Sequence, residues 1–228
     1  VYMDELERLY LPKTSAPTSH ILKPDTLYDH KHPAMVANEY FCMSLAKAIG
    51  LEVPDVLYKT LPTPVYLVKR YDRVWTKPQQ LVRSHQIDAC QALNLPPTQK
   101  YEREYETAIE GAKLQDILAL ANLCAQPALA QKKLLEWLLF NYLIGNSDAH
   151  AKNISFLINP YDYSVAQLNI DPGMHVAPLY DLVSGVVYGY QDMAQSIGDN
   201  TRFDWVSHAD WKQLSEENQI SWGLLQKM

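Results

Sequence analysis

A run of apolar residues near the middle of the chain, followed directly by a polar loop, limits the fold more than any other feature of the sequence. Residues 131–144 are predicted to form a helix that is apolar on nearly every face, so this helix belongs at the centre of a globular core. Gly145 ends the helix, and residues 145–153 carry several polar and titratable side chains. A rigid scaffold would hold these groups in place, so the loop is a candidate functional site.

The spacing of two residues in this loop is typical of protein kinases. Asp148 and Asn153 are five residues apart, as are the catalytic Asp and the metal-binding Asn of those enzymes. Asp148 would accept the proton of an attacking hydroxyl, and the Asn153 carbonyl oxygen would coordinate Mg²⁺. His150 and Lys152 would then face the negative charge of the transferred phosphate. Taken alone, such a loop more often forms local turns and surface hydrogen bonds.

Three further residues occupy the remaining positions of a kinase site in the right order. Lys23 ends a strand predicted over residues 19–23, Glu39 lies on the inward stripe of a helix predicted over 34–49, and Asp181 follows the loop. Kinases use a strand lysine for the phosphates, a helix glutamate to hold that lysine and a second carboxylate for the metal. Taken singly, each residue can be interpreted as an ordinary surface or loop residue. Their order together favours a kinase site.

The remaining pattern predicts two parts, 1–70 and 71–228. The first is a strand–helix–strand unit whose second strand covers 65–69. The second is mainly helical. Its predicted elements are helices over 84–94, 112–126 and 131–144, hairpin strands over 154–158 and 165–169, and a helix that begins after the capping segment 207–210.

Composition excludes several classes of protein. The 228 residues are 47% hydrophobic and 20% charged, as in an ordinary globular protein and unlike a disordered tail. A net charge of −6 provides no basic surface for nucleic acid. The cysteines, Cys42, Cys90 and Cys124, stand singly, which predicts a reduced, cytoplasmic environment. No apolar stretch approaches the roughly 20 residues of a membrane span, so no membrane association is expected.

Eight segments, in order along nearly the whole chain, resemble the HipA family of toxin kinases. They are residues 19–24 (SHILKP), 38–42 (NEYFC), 68–73 (VKRYDR), 85–93 (HQIDACQAL), 96–97 with 100–102 (PP and KYE), 146–153 (NSDAHAKN), 178–181 (PLYD) and 196–198 (SIG). The resemblance is more specific than any single loop.

The resemblance implies an α+β, protein-kinase-like fold with a small mixed N-terminal lobe and a mainly helical C-terminal lobe that carries a β-hairpin. It implies a bacterial serine/threonine protein kinase that uses ATP and Mg²⁺ and acts as the toxin of a type II toxin–antitoxin system. Asp148 matches the catalytic residue, and Asn153 and Asp181 match the Mg²⁺ ligands. The positions that match nucleotide contacts are Lys23, the hinge residues Lys69, Arg70 and Tyr71, then His150, Ala151, Lys152, Asn153, Tyr180 and Asp181.

The family also implies partners. Its members phosphorylate proteins of translation such as aminoacyl-tRNA synthetases, bind a HipB-like helix-turn-helix antitoxin, and reach DNA through that antitoxin. Two features depart from the family. Lys69 stands where Glu is usual, and the first glycine is Gly50, so the Gly-rich loop with its regulatory serine is expected upstream of Val1. A separate chain that supplies the missing N-terminal subdomain would fit a split toxin, and a truncation would fit as well.

Other functions remain open at this point. A small-molecule kinase could use the same architecture, because fold does not determine the acceptor. A kinase-like binding module could act through an antitoxin–DNA complex. A metal hydrolase that uses Asp148 and His150 as ligands leaves Lys23 and Glu39 unexplained and supplies too few ligands for zinc.

Overall fold

The computed structural model of the chain describes residues 1–25, 30–60, 62–77, 80–103, 110–159 and 172–228. The fold is α+β, as predicted, with small antiparallel sheets and a group of helices. The described strands are β1 (Tyr2–Met3), β2 (Leu9–Tyr10), β3 (His20–Pro24), β4 (Val56–Lys59), β5 (Val65–Lys69), β6 (Arg73–Lys77), β7 (Gln80–Arg83), β8 (His85–Asp88), β9 (Ser155–Asn159), β10 (Gly173–Val176), β11 (Asp192–Ile197) and β12 (Asn200–Arg202). The described α-helices are α1 (Met35–Ala48), α2 (Ala89–Ala92), α3 (Leu114–Ala119), α4 (Pro127–Ile144), α5 (His208–Glu217) and α6 (Trp222–Leu225).

The first part of the chain forms a three-stranded sheet in the order β3–β5–β4, against which α1 packs. Strand β5 is central, so its side chains are buried on both faces, and β3 pairs with it so that Lys23 lies opposite Tyr66. Helix α1 ends before Gly50, whose φ of +88° is a left-handed conformation that glycine adopts without strain. The predicted strands over 19–23 and 65–69 and the helix over 34–49 are confirmed within one residue at each end.

The helix predicted over 84–94 is wrong in its first half. Residues 85–88 form β8, which pairs with β9 in a sheet of order β10–β9–β8, and the helix is limited to α2. Ladder hydrogen bonds to β9 outweigh the helical propensity of this short segment. Asp88 marks the change, because its carboxylate accepts a hydrogen bond from the backbone N–H of Gln91 and caps α2.

Strand β9 pairs with β10 at residues 173–176. The hairpin strand predicted over 165–169 lies outside the described residues. The helix predicted over 112–126 appears as α3 continued by a 3₁₀ turn over Leu120–Leu123. Helix α5 begins after Ser207, whose backbone N–H and hydroxyl both donate to the Asp210 carboxylate, as the capping segment predicts.

Helix α4 forms the centre of the core, as its sequence predicts. Its buried side chains include Trp137, Leu134 and Leu135, each at most 1% exposed. They belong to a cluster of buried side chains that continues from α1 and β5 to α5 and α6. Within the described ranges, α4 and the other helices do not combine the length and apolar character that a bilayer crossing requires. The division of the chain near residue 70 stays a prediction.

Candidate active site

The loop after α4 is held in shape by hydrogen bonds from its own amide side chains. Gly145 ends the helix with a φ of +65°. The buried Asn146 side chain donates to Oδ1 of Asn141 at 2.7 Å, and its own Oδ1 accepts from the backbone N–H of Asp148 at 3.0 Å. Asn153 Nδ2 donates to the backbone carbonyl of Asp148 at 2.8 Å. The Asp148 side chain is therefore presented on a rigid loop at the end of the most buried helix.

The Asn153 hydrogen bond also orients its amide. Because Asn153 Nδ2 donates to the Asp148 carbonyl, Oδ1 is the side-chain atom left for a ligand. Asn153 lines the largest described cavity of the site. Asp181 lines the same cavity from the segment after β10. Its φ of +52° is a left-handed conformation that is uncommon for residues other than glycine, although Asp adopts it more readily than most, and such conformations are concentrated at functional sites.

Lys23, Glu39 and Asp181 meet although they are far apart in the sequence. Lys23 Nζ lies 2.8 Å and 3.0 Å from the two Glu39 carboxylate oxygens and also donates to Oδ1 of Asp181. Glu39 is 4% exposed, so its inward position on α1 is confirmed. Burial raises the pKa of Glu39 to about 7, against the opposing attraction of Lys23. Burial alone would lower the pKa of Lys23, but the two carboxylates raise it.

A large cavity of about 800 Å³ lies between α1, the loop after α4 and β11. Asp148, Asn153 and Asp181 line it together with Lys23 and Glu39. The remaining wall includes Tyr101, Ser147, Tyr188 and Ser196.

A small cavity of about 180 Å³ lies on the other side of Lys23 and Asp181. The predicted hinge, Lys69 to Tyr71, forms one wall of it, and Tyr180 forms another, with the Tyr71 and Tyr180 ring centroids 5.8 Å apart. Burial raises the pKa of Tyr71 to about 12, so this phenol stays neutral. The apolar side chains of Ile21, Met43 and Val68 complete the walls, and apolar and aromatic walls suit a planar base.

Two buried polar atoms in the small cavity have no hydrogen-bond partner among the described residues. They are the Tyr66 hydroxyl, in a side chain that is 0% exposed, and Oε1 of Gln86. Unpaired buried polar groups are costly, and such groups in a native structure call for a partner. A nucleotide in the small cavity, with its polar base and sugar, would supply one.

The two cavities share Lys23, Glu39 and Asp181. A ligand with a flat base in the small cavity and an anionic chain that passes Lys23 into the large cavity would fit this arrangement, and ATP has that shape. For Mg²⁺, the available donors are the Asn153 amide oxygen and the Asp181 carboxylate. Mg²⁺ is usually bound by one or two carboxylates together with phosphate oxygens and water, so this donor set fits.

Of the remaining predicted nucleotide positions, Tyr180 and Lys69 line the small cavity, whereas Ala151 and Lys152 line neither cavity within the described residues. Tyr180 donates to the backbone carbonyl of Lys152 at 2.9 Å, which joins the segment before Asp181 to the loop. The Lys152 ammonium is bound to Asp88 at 2.7 Å, and the structure does not bring it to the described walls of either cavity. Ala151 is buried, and its backbone N–H donates to the carbonyl of Lys100. Lys69 directs its side chain to Asp55 at 3.6 Å.

His150 is buried under the loop at 5% exposure. Burial lowers its pKa, so the imidazole is neutral at pH 7. Its Nε2 lies 2.9 Å from Lys100 Nζ and 3.5 Å from Oδ1 of Asp148. His150 therefore contacts Lys100 and lies close to Asp148, so it helps to hold the loop in shape. Its role as a nucleotide contact stays a prediction.

The structure also brings to the site several residues whose role the sequence pattern does not predict. Tyr101 donates to Oδ1 of Asp148 at 2.6 Å, and Gln86 and Tyr66 line the small cavity. Tyr101 and Gln86 lie in the segments 100–102 and 85–93 that resemble the HipA family, which is the signal that could have drawn attention to them. Tyr66 has no comparable signal, because alternation within a strand does not show which buried residue reaches a cavity.

The fold and the grouping of these residues define the class of kinase-like proteins. One solved structure that shows this fold is the proinflammatory kinase CtkA of Helicobacter pylori, with a TM-score of 0.53 and 14% identity over 87% of this chain and 74% of that one. Within that class, the chain belongs to the HipA-like C-terminal domain family, which matches residues 3–227.

Curated relatives agree with this family. The chain is 36% identical to Y4mE of Sinorhizobium fredii, which is named as a candidate kinase, over 96% of this chain and 49% of Y4mE. It is 36% identical to the serine/threonine-protein kinase toxin HipA of Shewanella oneidensis over 79% of this chain and 39% of that protein. The chain therefore spans half or less of the length of these relatives.

A solved structure of the Shewanella oneidensis toxin–antitoxin system, which contains HipA, HipB and operator DNA, includes a chain of the same fold. The TM-score is 0.80, with 31% identity over 92% of this chain and 48% of that one. The resemblance to HipA that the sequence motifs carry is confirmed.

Proposed function

We propose that the chain is the catalytic part of an ATP- and Mg²⁺-dependent serine/threonine protein kinase of the HipA toxin type. The observation that carries the proposal is the junction of the two cavities, where Lys23, Glu39 and Asp181 stand between a hinge-lined cavity and the Asp148 loop. This is the arrangement that phosphoryl transfer from a nucleotide requires.

Each residue of the site has a role in this proposal. Lys23 binds the α- and β-phosphates, and Glu39 holds Lys23 in place through the two hydrogen bonds of 2.8 Å and 3.0 Å. Asp148 accepts the proton of the attacking hydroxyl. The backbone of the hinge, Lys69 to Tyr71, binds adenine. The exposed side chain of Lys69 takes no part in this contact, so Lys can stand where the family usually has Glu.

Asn153 and Asp181 would hold Mg²⁺, which neutralises charge on the phosphates when it is bound. In the structure, Asp181 is bound by Lys23. Nucleotide binding would separate this pair, because the phosphates offer Lys23 another anion and the metal offers Asp181 another cation. The Asn153 amide needs no such change, since its nitrogen is already used and its oxygen is free for a ligand.

The family supports a proposal for the acceptor and the biological role. The Shewanella oneidensis relative is named a serine/threonine-protein kinase toxin, which supports a protein acceptor and a toxin role for this chain. We propose an aminoacyl-tRNA synthetase or a similar translation protein as the substrate, with growth arrest as the result. A substrate of that kind would be met in the cytoplasm.

A HipB-like antitoxin is the proposed regulatory partner. The Shewanella oneidensis complex of HipA, HipB and operator DNA supports it. The net charge of −6 favours DNA contact through the antitoxin rather than through this chain. A further chain or segment that supplies the N-terminal subdomain is proposed as well, since the relatives are about twice as long.

The full-length gene product, incubated with γ-labelled ATP, Mg²⁺ and purified synthetases, tests the proposal. We expect label on a serine or threonine of one synthetase, and none with the Asp148→Asn variant. Transfer that is equally fast with Asp148→Asn, or no transfer to any protein under conditions where ATP binds, would overturn the protein-kinase assignment.

A further inference from the structure

Tyr101 makes a direct contact with the proposed base. Its hydroxyl donates to Oδ1 of Asp148 at 2.6 Å, across 47 residues of sequence. The distance is typical of a charge-assisted O–H···O⁻ hydrogen bond, which is stronger than a neutral one. Tyr101 also lines the large cavity, so its hydroxyl meets Asp148 at the cavity wall.

The backbone around Tyr101 is anchored on both sides. Before it, the carbonyl of Lys100 accepts from the N–H of Ala151 at 3.0 Å, which joins the segment to the loop that carries Asp148. After it, the Glu102 carboxylate accepts from the backbone N–H of Ser196 at 2.6 Å and from the Ser196 hydroxyl at 2.7 Å. These bonds fix the position from which the Tyr101 ring extends.

A second group close to Oδ1 of Asp148 is the imidazole of His150, and it does not donate to that oxygen. Its Nε2 is 3.5 Å from Oδ1, which is too long for a strong hydrogen bond, and it is 2.9 Å from the Lys100 ammonium. An ammonium can only donate, so Nε2 of the neutral imidazole is the acceptor. Within the described ranges, Tyr101 therefore provides the side-chain donor to the Asp148 carboxylate.

The ring of Tyr101 is itself held in place. It meets the His150 ring edge to face, with centroids 5.1 Å apart, and the Lys100 ammonium lies 4.9 Å from its centroid. Burial and the neighbouring Asp148 raise the pKa of Tyr101, so the hydroxyl stays a donor at neutral pH. A half-buried phenol whose ring is oriented by these contacts is a more rigid donor than water.

We propose that Tyr101 is a positioning residue for phosphoryl transfer: by donating to Oδ1 of Asp148 it fixes the orientation of the carboxylate, so that Oδ2 faces the acceptor hydroxyl. This inference rests on the proposed kinase function. In the reaction, the acceptor oxygen forms a bond to the γ-phosphorus, and its proton passes to Oδ2. The bond between the γ-phosphorus and the bridging oxygen breaks, and its electron pair leaves with ADP.

The Tyr101→Phe variant isolates the hydroxyl, because Phe keeps the ring against His150. We expect kcat for Mg·ATP hydrolysis, with water as the acceptor, to fall about 10- to 100-fold, the effect of losing one hydrogen bond to a charged group. The KM for ATP should stay nearly constant, because Tyr101 lies at the acceptor side. A lower kcat with an unchanged KM is therefore expected, whereas general damage to the site would change both.

The matched control is Tyr142→Phe, which removes a hydroxyl that donates to the backbone carbonyl of Phe203 at 3.3 Å, outside the two cavities. It should leave kcat and KM unchanged. Should Tyr101→Phe fail to fold, 4-fluorophenylalanine at position 101 keeps the size of the side chain without the donor, and kcat should fall as in Tyr101→Phe. The conservative replacement is 3-fluorotyrosine, which keeps both the ring and the donating hydroxyl and should keep kcat close to the wild-type value.

The outcomes separate the two claims. An active wild type whose kcat is unchanged by either replacement that removes the hydroxyl overturns the role of Tyr101 alone. A loss of kcat that 3-fluorotyrosine shows as well, or one with an equal loss of ATP affinity, also overturns it, because a purely structural role would explain both. ADP release by the wild type that does not depend on Asp148 overturns the proposed function, and this inference with it.

Discussion

Replacement of Glu39 by Gln is predicted to weaken nucleotide binding without weakening the fold. The carboxylate is 4% exposed and serves Lys23 through two hydrogen bonds. In the Glu39→Gln variant, Lys23 keeps only the Asp181 carboxylate and is drawn toward it. The ammonium is then less available to phosphate, and we expect ATP affinity to fall about 10-fold or more, the effect of losing a charged hydrogen-bond partner.

The same substitution should increase the stability of the fold at neutral pH, although it weakens ATP binding. Burial raises the pKa of Glu39 from 4.5 to about 7, so the folded state binds this proton more tightly than the unfolded state. The wild type therefore loses stability as pH rises from about 4.5 through about 7. At about 1.4 kcal/mol per pKa unit, the loss between pH 5 and pH 8 is on the order of 2 to 3 kcal/mol, whereas Gln has no proton to lose.

Urea unfolding of both proteins at several pH values between 5 and 8 measures this difference. We expect the free energy of unfolding of Glu39→Gln, relative to wild type, to increase by about 2 to 3 kcal/mol across the range. The control is Glu7→Gln. In the wild type, the exposed Glu7 carboxylate pairs with Lys59 at 2.8 Å, and Lys59 lowers the pKa of that carboxyl. This variant should show no gain with pH.

A Glu39→Gln variant that becomes less stable than wild type as pH rises would refute the reasoning. It would mean that the attraction between Glu39 and Lys23 exceeds the cost of burying the carboxylate. Unchanged ATP affinity would separately refute the role of Glu39 in holding Lys23.

Three further predictions concern the loop and its support. Asp148→Asn should lower kcat by about 10²- to 10⁴-fold, as expected for loss of a general base, and calorimetry should find ATP affinity nearly unchanged. Burial lowers the pKa of His150, so the unfolded state binds its proton more tightly. The stability of the wild type should therefore fall as pH drops below about 6.5. A His150→Gln variant whose stability falls with the same slope in acid would contradict this. A Cβ at Gly111 would overlap the backbone carbonyls of Tyr101 and Gln99, so Gly111→Ala should lose about 1–3 kcal/mol in chemical unfolding. Gly223→Ala should lose none, because its Cβ would meet the Ser221 hydroxyl at an ordinary contact distance of 3.9 Å.

The sequence predicts the elements of this fold best where one periodicity dominates. The helix over 131–144 and the strand over 65–69 are apolar enough that burial alone determines their place, and both appear in the structure, the helix with four additional residues at its start. The helix over 84–94 is wrong at residues 85–88 because their conformation depends on pairing with β9, a partner about 70 residues away. A local pattern does not contain that information.

The candidate site was predicted in part for a similar reason. Lys23, Glu39 and Asp181 follow from their order along the chain and their element types, and the structure brings them together. The positions of His150 and Lys152 depend on Lys100 and Asp88, which no spacing rule connects to the loop. Tyr101 was missed because its role arises from a contact across 47 residues.

The central claim is that the junction of the two cavities binds nucleotide. Calorimetric titration of this 228-residue chain with ATP, with and without Mg²⁺, tests it most directly, and Asp181→Ala provides the comparison. We predict binding that Mg²⁺ strengthens in the wild type, and weaker binding without that Mg²⁺ effect in Asp181→Ala. Absence of ATP binding by a folded wild-type chain, or a Mg²⁺ effect that persists in Asp181→Ala, would contradict the account.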